Sequence, residues 1–505
     1  MSLKAILKGL ALAAVAVTLT ACSGGVVPEP SLSPEVIPAE YQQFYTQDVS
    51  WSDCHEEMEC ATVSAPLNWA EPAGETIELA LVRHLASSSK KLGSLFVNPG
   101  GPGVSGVDFV AGSLDYAVTG AVKKNYDVIG FDPRGVGAST PVVCVESDAQ
   151  MDEFLFGTLD SVRASPDWFA QRESASAEFA QGCLERTGDV LAHVDTISAA
   201  HDLDMMRAVV GDRQLNYLGY SYGTLLGAVY AENFPGNVGR MVLDGALDPS
   251  STSFDVTLNQ SIGFENALRA YLTDCLESDE CPLSGSVDQA MNEVGQLLVQ
   301  LDESPLIASD GRELSADAML TAIIAPLYNP DAWSFLSDVF ATVAEGEADT
   351  AYGSVDRYYN RGDDGTYLDN STEAFLAINC LDYPVTKDPA QWAKDAQELA
   401  RQAPVIGPYL SYGDQLCSQW PFPAVLSPHK ISAQGAGDIL VVGTTGDPAT
   451  PYRWAQSLAA QLEGGHLVTY TGEGHTAYNK SNSCVNDAVD GFLLRGKVPS
   501  ADPKC

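Results

Sequence analysis

Leu215-Asn216-Tyr217-Leu218-Gly219-Tyr220-Ser221-Tyr222-Gly223 is a short apolar run that ends in the pattern G-x-S-x-G, and Thr224 to Asn233 continues in helix-compatible sequence. Strand, glycine turn and helix in that order are what a nucleophile elbow requires. The glycines let the backbone turn sharply enough to lift a serine hydroxyl clear of a sheet. The pattern alone is weak, because a serine in an ordinary Gly-rich strand-to-helix loop also matches it. Its context makes Ser221 a candidate nucleophile, provided that the rest of the chain supplies a base, an acid and amide donors for an oxyanion.

The chain around this stretch alternates strand-like and helix-like segments. Thr76 to Ala86 alternates in polarity, and Gly93 to Val97, Tyr126 to Phe131 and Arg240 to Leu243 are short apolar runs of the buried-strand kind. Helix-like sequence fills Ala149 to Gly211. Short apolar strands separated by helices predict an α/β fold with a mostly parallel sheet covered on both faces. From about Pro249 to Pro428 strand-like runs nearly vanish, and helical spacing dominates in Phe264 to Leu276, Val287 to Leu301, Ala316 to Ala325, Trp333 to Ala344 and Gln391 to Gln402. Strand and helix alternation then resumes with Asp438 to Gly443, Tyr452 to Leu462 and His466 to Tyr470. The expectation is an α/β-hydrolase fold with a large helical cap inserted after the sixth core strand. The expected division is a signal peptide at 1–21, a Pro-rich tether at 22–45, core at 46–250, cap at 251–428 and core again at 429–505.

The seven histidines narrow to one base. His475 follows the last predicted strand inside Gly472-Glu473-Gly474-His475-Thr476, a sequence that permits a tight loop at the sheet's C-terminal edge. His466 begins that strand and belongs at the opposite edge. For the acid, Asp447 follows the strand Asp438 to Gly443, which gives the order Ser, Asp, His found in α/β-hydrolases. Asp244, at the end of the strand after the elbow, competes for the same imidazole. Two backbone amides are expected to hold the oxyanion: Tyr222, the residue after the nucleophile, and Gly101 in Asn98-Pro99-Gly100-Gly101-Pro102-Gly103-Val104-Ser105-Gly106. This loop also contains G-x-G-x-x-G at Gly101, Gly103 and Gly106, but Pro102 within it argues against a dinucleotide site, and no cofactor is expected. Arg361-Gly362-Asp363 and the sequon at Asn370 read as incidental loop chemistry.

Composition sets the surroundings. The 67 acidic against 27 basic residues give a net charge of -40, which repels nucleic acid and disfavours a basic membrane-binding face. Lys4 and Lys8 precede an apolar run from Leu10 to Leu19 that ends in Leu19-Thr20-Ala21-Cys22, the layout of a bacterial lipoprotein signal. The expectation is export, with lipid on Cys22 holding a monomer to the outer face of the cell membrane, and with release from the surface as a second fate. An ordinary secretory signal is the plainer alternative. Of eleven cysteines, ten remain after Cys22, an even number that suits an oxidising compartment. The simplest pairing by order is Cys54 with Cys60, Cys144 with Cys183, Cys275 with Cys281, Cys380 with Cys417, and Cys484 with Cys505. No spacing in the sequence supports a metal site.

Five motifs in order, Asn98 to Gly106, Tyr126 to Thr140 (YDVIGFDPRGVGAST), GYSYG at the elbow, Val242 to Pro249 (VLDGALDP) and Gly443 to Pro451 (GTTGDPATP), resemble those of the secreted tripeptidyl aminopeptidases of actinobacteria. These are α/β-hydrolases related to proline iminopeptidases. The resemblance runs from about Trp51 to Cys505 and implies Ser221, Asp447 and His475 as a catalytic triad. It also implies an exopeptidase that releases short peptides from substrates with a free N-terminus. Such an enzyme must recognise an ammonium group, and Asp382 and Glu373 in the cap are the carboxylates considered for that role. An esterase with the same triad and a silent surface-binding protein are the competing readings.

Overall fold

The computed structural model describes residues 36–159 and 161–505. The sequence expectations on the signal peptide, on Cys22 and on most of the tether lie outside these residues.

Eleven strands form among the described residues. They are β1 (Ser52–Asp53), β2 (Met58–Pro66), β3 (Thr76–His84), β4 (Ser94–Asn98), β5 (Asp127–Phe131), β6 (Leu215–Tyr220), β7 (Val238–Asp244), β8 (Leu306–Ile307), β9 (Glu313–Leu314), β10 (Ile439–Gly446) and β11 (Gly465–Glu473). Nine of them make one sheet in the order β1-β2-β3-β5-β4-β6-β7-β10-β11, while β8 and β9 form a separate small hairpin. β1, β2 and β3 pair antiparallel along one edge, and β5 to β11 within this sheet pair parallel. Alternate residues along each strand feed opposite faces. Phe96, Ile129, Tyr217, Met241 and Val441 enter one buried cluster, and Leu95, Val97, Leu218, Val242 and Val442 enter another. Burial on both faces explains why these strands read as unbroken apolar runs.

The helical segment runs from the helix Ser253–Cys275 to the helix Asp414–Ser418 and has its own apolar cluster, including Leu268, Leu272, Leu298, Ile323 and Phe340. It follows the seventh strand of the chain rather than the sixth; β1 and β2 are not among the strands read from the sequence. Residues Glu40–Cys505 form one compact unit. Tyr41 to Tyr45, expected in the tether, therefore belong to the packed body: Phe44 is buried and the Tyr41 hydroxyl donates to the Trp69 carbonyl at 2.9 Å.

The motif after β5 has a structural task. Asp132 accepts the Ser105 hydroxyl at 2.6 Å, the Val107 amide at 3.1 Å and the Ala138 amide at 2.9 Å, tying the loop after β4 to the loop after β5. Arg134 is fully buried; its guanidinium meets Asp202 at 2.7 Å and also donates to the carbonyls of Pro66, Leu67 and His193. A buried charge persists only when its hydrogen bonds are met in this way. The five disulfides among the described residues are the five pairs expected from cysteine order. Such a set marks a protein that folds in an oxidising compartment. Among the described residues no helix is long and apolar enough to cross a membrane.

Candidate active site

The sheet order brings four strand ends side by side. Parallel register sets Asn98 of β4 opposite Gly219 of β6, Tyr220 of β6 opposite Asp244 of β7, and Asp244 opposite Val442 of β10. The loops that leave these ends carry the glycine-rich run, Ser221 and Asp447, and β11 delivers His475 from the next position.

Ser221 has φ 53° and ψ -123°, a conformation that non-glycine residues rarely adopt. Such strain costs on the order of 1–3 kcal/mol and is held by its surroundings. The Ser221 amide donates to the Asp244 carbonyl at 2.9 Å, and the helix Tyr222–Asn233 starts at once. Packing is equally tight beside it. A Cβ on Gly219 would lie 2.4 Å from the Gly223 carbonyl oxygen, and one on Gly223 would lie 2.7 Å from Asn98 Oδ1. The two glycines of the motif are therefore needed for close approach of backbone to backbone and to Asn98.

His475 Nδ1 lies 2.9 Å and 3.0 Å from the two carboxylate oxygens of Asp447. The Asp447 side chain is fully buried, and it also accepts the amides of Ala449, Thr450 and Thr476 and the Thr450 hydroxyl. Thr450 Oγ1 is 3.3 Å from His475 Nδ1, so a threonine sits beside the Asp447–His475 pair. Sequence reading missed Thr450; its position three residues after Asp447, in Asp-Pro-Ala-Thr, was the available signal. The inserted segment reaches the same place. The Tyr328 carbonyl accepts the His475 amide at 2.8 Å, and the Tyr328 ring meets the imidazole edge-on at 5.4 Å between centroids.

Asp244 takes a different position from the one its competition with Asp447 required. Fully buried, it accepts the amides of Ala477 at 3.0 Å and Tyr478 at 2.8 Å, which fixes the loop after His475. Burial raises its carboxyl above the ordinary range against those bonds. His466 lies near the start of β11 and meets Asp438 at 2.8 Å, away from the elbow end of the sheet.

The glycine loop presents one amide and uses another. Gly100 donates to Asn98 Oδ1 at 2.9 Å, while the Gly101 amide has no acceptor among the described residues. Gly100 has φ +100°, and a Cβ there would lie 2.6 Å from the Tyr220 carbonyl oxygen, 2.9 Å from Ser221 Cβ and 3.1 Å from the Tyr222 amide nitrogen. Gly100 therefore seats the loop on the elbow, a contact that sequence reading did not assign. The Gly101–Pro102 peptide is cis.

The two carboxylates considered for the substrate ammonium are engaged elsewhere. Asp382 is 1% exposed and accepts both the amide and the hydroxyl of Thr196 at 2.9 Å and 2.5 Å. Glu373 is buried, and its Oε1 accepts the amides of Cys144 at 2.5 Å and Val145 at 3.3 Å. The expectation that they face substrate is corrected: both are tied down inside the protein, because a buried carboxylate takes the nearest available donors. A separate cavity of about 1240 Å³, lined among others by Phe154, Trp168, Arg172 and Asp317, includes none of Ser221, Asp447 or His475. The candidate site rests on the strained Ser221 and on the pairing of half-buried His475 with buried Asp447, not on cavity size.

The sequence has relatives among known proteins. A family profile described as "TAP-like protein" matches residues 403–505. The chain is 35% identical to "Serine protease Hip1" of Mycobacterium tuberculosis over 98% of this chain and 96% of that protein. It is 37% identical to "Carboxylesterase B" of the same species over 90% and 89% of the two chains. It is 31% identical to "Tripeptidyl aminopeptidase" of Streptomyces lividans over 90% and 86%.

Proposed function

The chain belongs to the α/β-hydrolase family of the Streptomyces tripeptidyl aminopeptidases and the mycobacterial serine protease Hip1, and from that premise we propose that it is an exported serine exopeptidase that removes short peptides, tripeptides foremost, from free N-termini. The observation that carries this reading is Ser221 on its strained turn, at the same sheet edge as His475 and its buried partner Asp447.

In this mechanism Ser221 Oγ attacks the scissile carbonyl while His475 Nε2 takes its proton. The Asp447 carboxylate holds Nδ1–H and stabilises the imidazolium. Thr450 Oγ1, which bonds Asp447 Oδ2, keeps the carboxylate from turning. The amides of Gly101 and Tyr222 hold the oxyanion. His475 then returns the proton to the leaving amine, and water, activated by the same imidazole, releases the peptide from Ser221. Lipid on Cys22 keeps the enzyme at the cell surface in this reading, and a Cys22→Ala variant freed into the soluble fraction would support that part.

An esterase is the second reading, favoured by the 37% identical carboxylesterase relative. Turnover of a free-amine tripeptide anilide, its N-acetylated twin and a simple aryl ester separates the two. The exopeptidase reading expects kcat/KM on the free-amine anilide to exceed that on the acetylated twin by 100-fold or more. Preference for the ester or the acetylated anilide overturns it. A silent binding protein is the remaining reading; absence of Ser221-dependent labelling by a fluorophosphonate would favour it.

A further inference from the structure

The helix Ser371–Asp382 belongs to the inserted segment, yet both of its ends are fastened to the parts that carry the two candidate oxyanion amides. At its start the glycine loop closes on it. Gly103 has φ +94°, and a Cβ there would lie 2.5 Å from the Ser371 carbonyl oxygen and 2.7 Å from the Phe375 amide nitrogen. Residues beside this contact lock the helix to the core. Asn370 Nδ2 donates to the carbonyls of Gly135 and Val142 at 2.9 Å each, its Oδ1 accepts the Gly137 amide, and Glu373 accepts the Cys144 amide.

At the other end, Asp382 accepts the Thr196 amide and hydroxyl, and Thr196 Oγ1 is in turn hydrogen-bonded to the Tyr222 hydroxyl. Asp382, Thr196 and Tyr222 are all buried. Tyr222 is the residue after Ser221 and the first of its helix. A twelve-residue helix is a rod of about 18 Å, so one rigid element touches the loop of Gly101 and, through two side chains, the residue whose amide completes the pair.

We propose that this helix sets the spacing of the two oxyanion amides, with Asp382 as a positioning residue that acts through Thr196 on Tyr222. The proposal rests on the serine hydrolase reading given above. Its logic is the direction of the hydrogen bonds. The variants are compared at pH 8.5, above the value of about 7 to which burial raises the Asp382 carboxyl. The ionised carboxylate only accepts, so Thr196 must donate both its amide and its hydroxyl to it, and the free lone pairs of Thr196 Oγ1 then accept the Tyr222 hydroxyl. Every hydroxyl proton has one place to go, and the phenol is held at one angle. An amide in place of the carboxylate puts a donor opposite the Thr196 hydroxyl, which must turn toward Tyr222 and leave the phenol without its acceptor. A site that stabilises a transition state tolerates only about 0.5 Å of looseness in its donors. Substrate binding does not need that tolerance, so the effect falls on kcat.

The test uses the whole mature chain and four proteins: wild type, Asp382→Asn, Tyr222→Phe and Thr196→Ser. For each, kcat and KM are measured on the tripeptide anilide, together with inhibition by the matching peptide aldehyde, which forms an oxyanion on Ser221, and by the free product tripeptide, which does not. Melting temperature reports folding. Complete loss of one oxyanion donor lowers kcat by about 10²–10³-fold, and a misplaced one should lose less. The expected result for Asp382→Asn is a kcat lower by about tenfold, KM and product inhibition within about twofold of wild type, and aldehyde affinity weakened in step with kcat. Tyr222→Phe should move the same two quantities by a smaller factor, and Thr196→Ser, which keeps the hydroxyl, should leave them near wild type.

A folded Asp382→Asn with unchanged kcat and aldehyde affinity overturns the proposal, as does a loss confined to KM. Where Asp382→Asn does not fold, Tyr222→Phe decides: unchanged kcat overturns the proposal, and a parallel loss of kcat and aldehyde affinity supports it. A wild-type protein without Ser221-dependent turnover overturns the hydrolase reading itself and takes the proposal with it, an outcome distinct from an active wild type with indifferent variants.

Discussion

His475 Nδ1 lies within hydrogen-bond reach of both oxygens of Asp447, at 2.9 Å and 3.0 Å, across 28 residues of sequence. The carboxylate that holds the imidazole is itself held by three backbone amides and a threonine hydroxyl. Asp447→Asn keeps the shape and places an amide NH₂ beside Nδ1, which favours the wrong tautomer. The expected loss in kcat is about 10⁴-fold, the order seen when a triad carboxylate is amidated, with KM little changed. Asp244→Asn is the matched control. It weakens the acceptor for Ala477 and Tyr478 and should lower stability by about 1–3 kcal/mol, with a far smaller loss of kcat. Steady-state kinetics and urea unfolding on both variants check the assignment, and equal losses of kcat would contradict it.

Gly100 should tolerate no side chain. Its φ of +100° and the 2.6 Å that would separate an added Cβ from the Tyr220 carbonyl oxygen combine strain with a backbone clash at the elbow. Gly100→Ala is expected to lower stability by at least about 2 kcal/mol and to abolish most turnover. Thermal unfolding with fluorophosphonate labelling of Ser221 measures both. A variant that labels at the wild-type rate would show that the loop does not seat the nucleophile.

Much of this site was legible because parallel strands end in loops at one edge, so residues that follow strands converge. Ser221, Asp447 and His475 each follow a strand, and the choice of Asp447 over Asp244 needed only knowledge of which loop the carboxylate faces. β2 was not legible. Met58-Glu59-Cys60-Ala61-Thr62-Val63-Ser64-Ala65-Pro66 buries small residues such as Ala61 and Ala65, which give little periodic signal. The cap carboxylates misled for a related reason. Asp382 and Glu373 are acidic residues in the inserted segment, but their partners are an amide and hydroxyl of Thr196 and the amides of Cys144 and Val145, distant in sequence. The contact of Tyr328 with His475 was hidden in the same way, since a backbone carbonyl leaves no mark on side-chain patterns.

Asp382 also makes stability depend on pH in a direction opposite to that of most carboxylates. Burial raises its carboxyl from 3.8 to about 7, against the two bonds from Thr196 and with a smaller push in the same direction from Asp195. Tyr222 and Tyr383 are the other titratable groups close to it. The folded protein holds this proton more tightly than the unfolded chain. Between pH 3.8 and about 7 the native state therefore binds more protons, and unfolding free energy falls as pH rises, by up to about 1.4 kcal/mol per pH unit. Asp382→Asn should remove that contribution. Urea midpoints at pH 5 and pH 7.5 compare the two proteins: wild type should lose more stability on the rise than the variant, and parallel losses would contradict the linkage.

The Cys144–Cys183 bridge closes a loop with a sequence separation of 39. Chain entropy assigns such a loop about 4 kcal/mol, within the usual 2–5 kcal/mol range for native bridges. The double change Cys144→Ser with Cys183→Ser should lower the urea midpoint accordingly. It should also loosen the segment to which Glu373 holds the helix Ser371–Asp382, seen as faster hydrogen exchange at the amides of residues 144 and 145. Unchanged exchange there would show that Glu373 alone fixes this contact.

The most direct test of the account is the product pattern on a defined set of peptides, read by mass spectrometry, with wild type and Ser221→Ala side by side. Wild type is expected to remove short peptides, tripeptides first, in succession from unblocked N-termini, to leave N-acetylated peptides intact, and to lose all of this activity with Ser221. Cleavage at internal bonds of blocked peptides, or release that persists in Ser221→Ala, would contradict it.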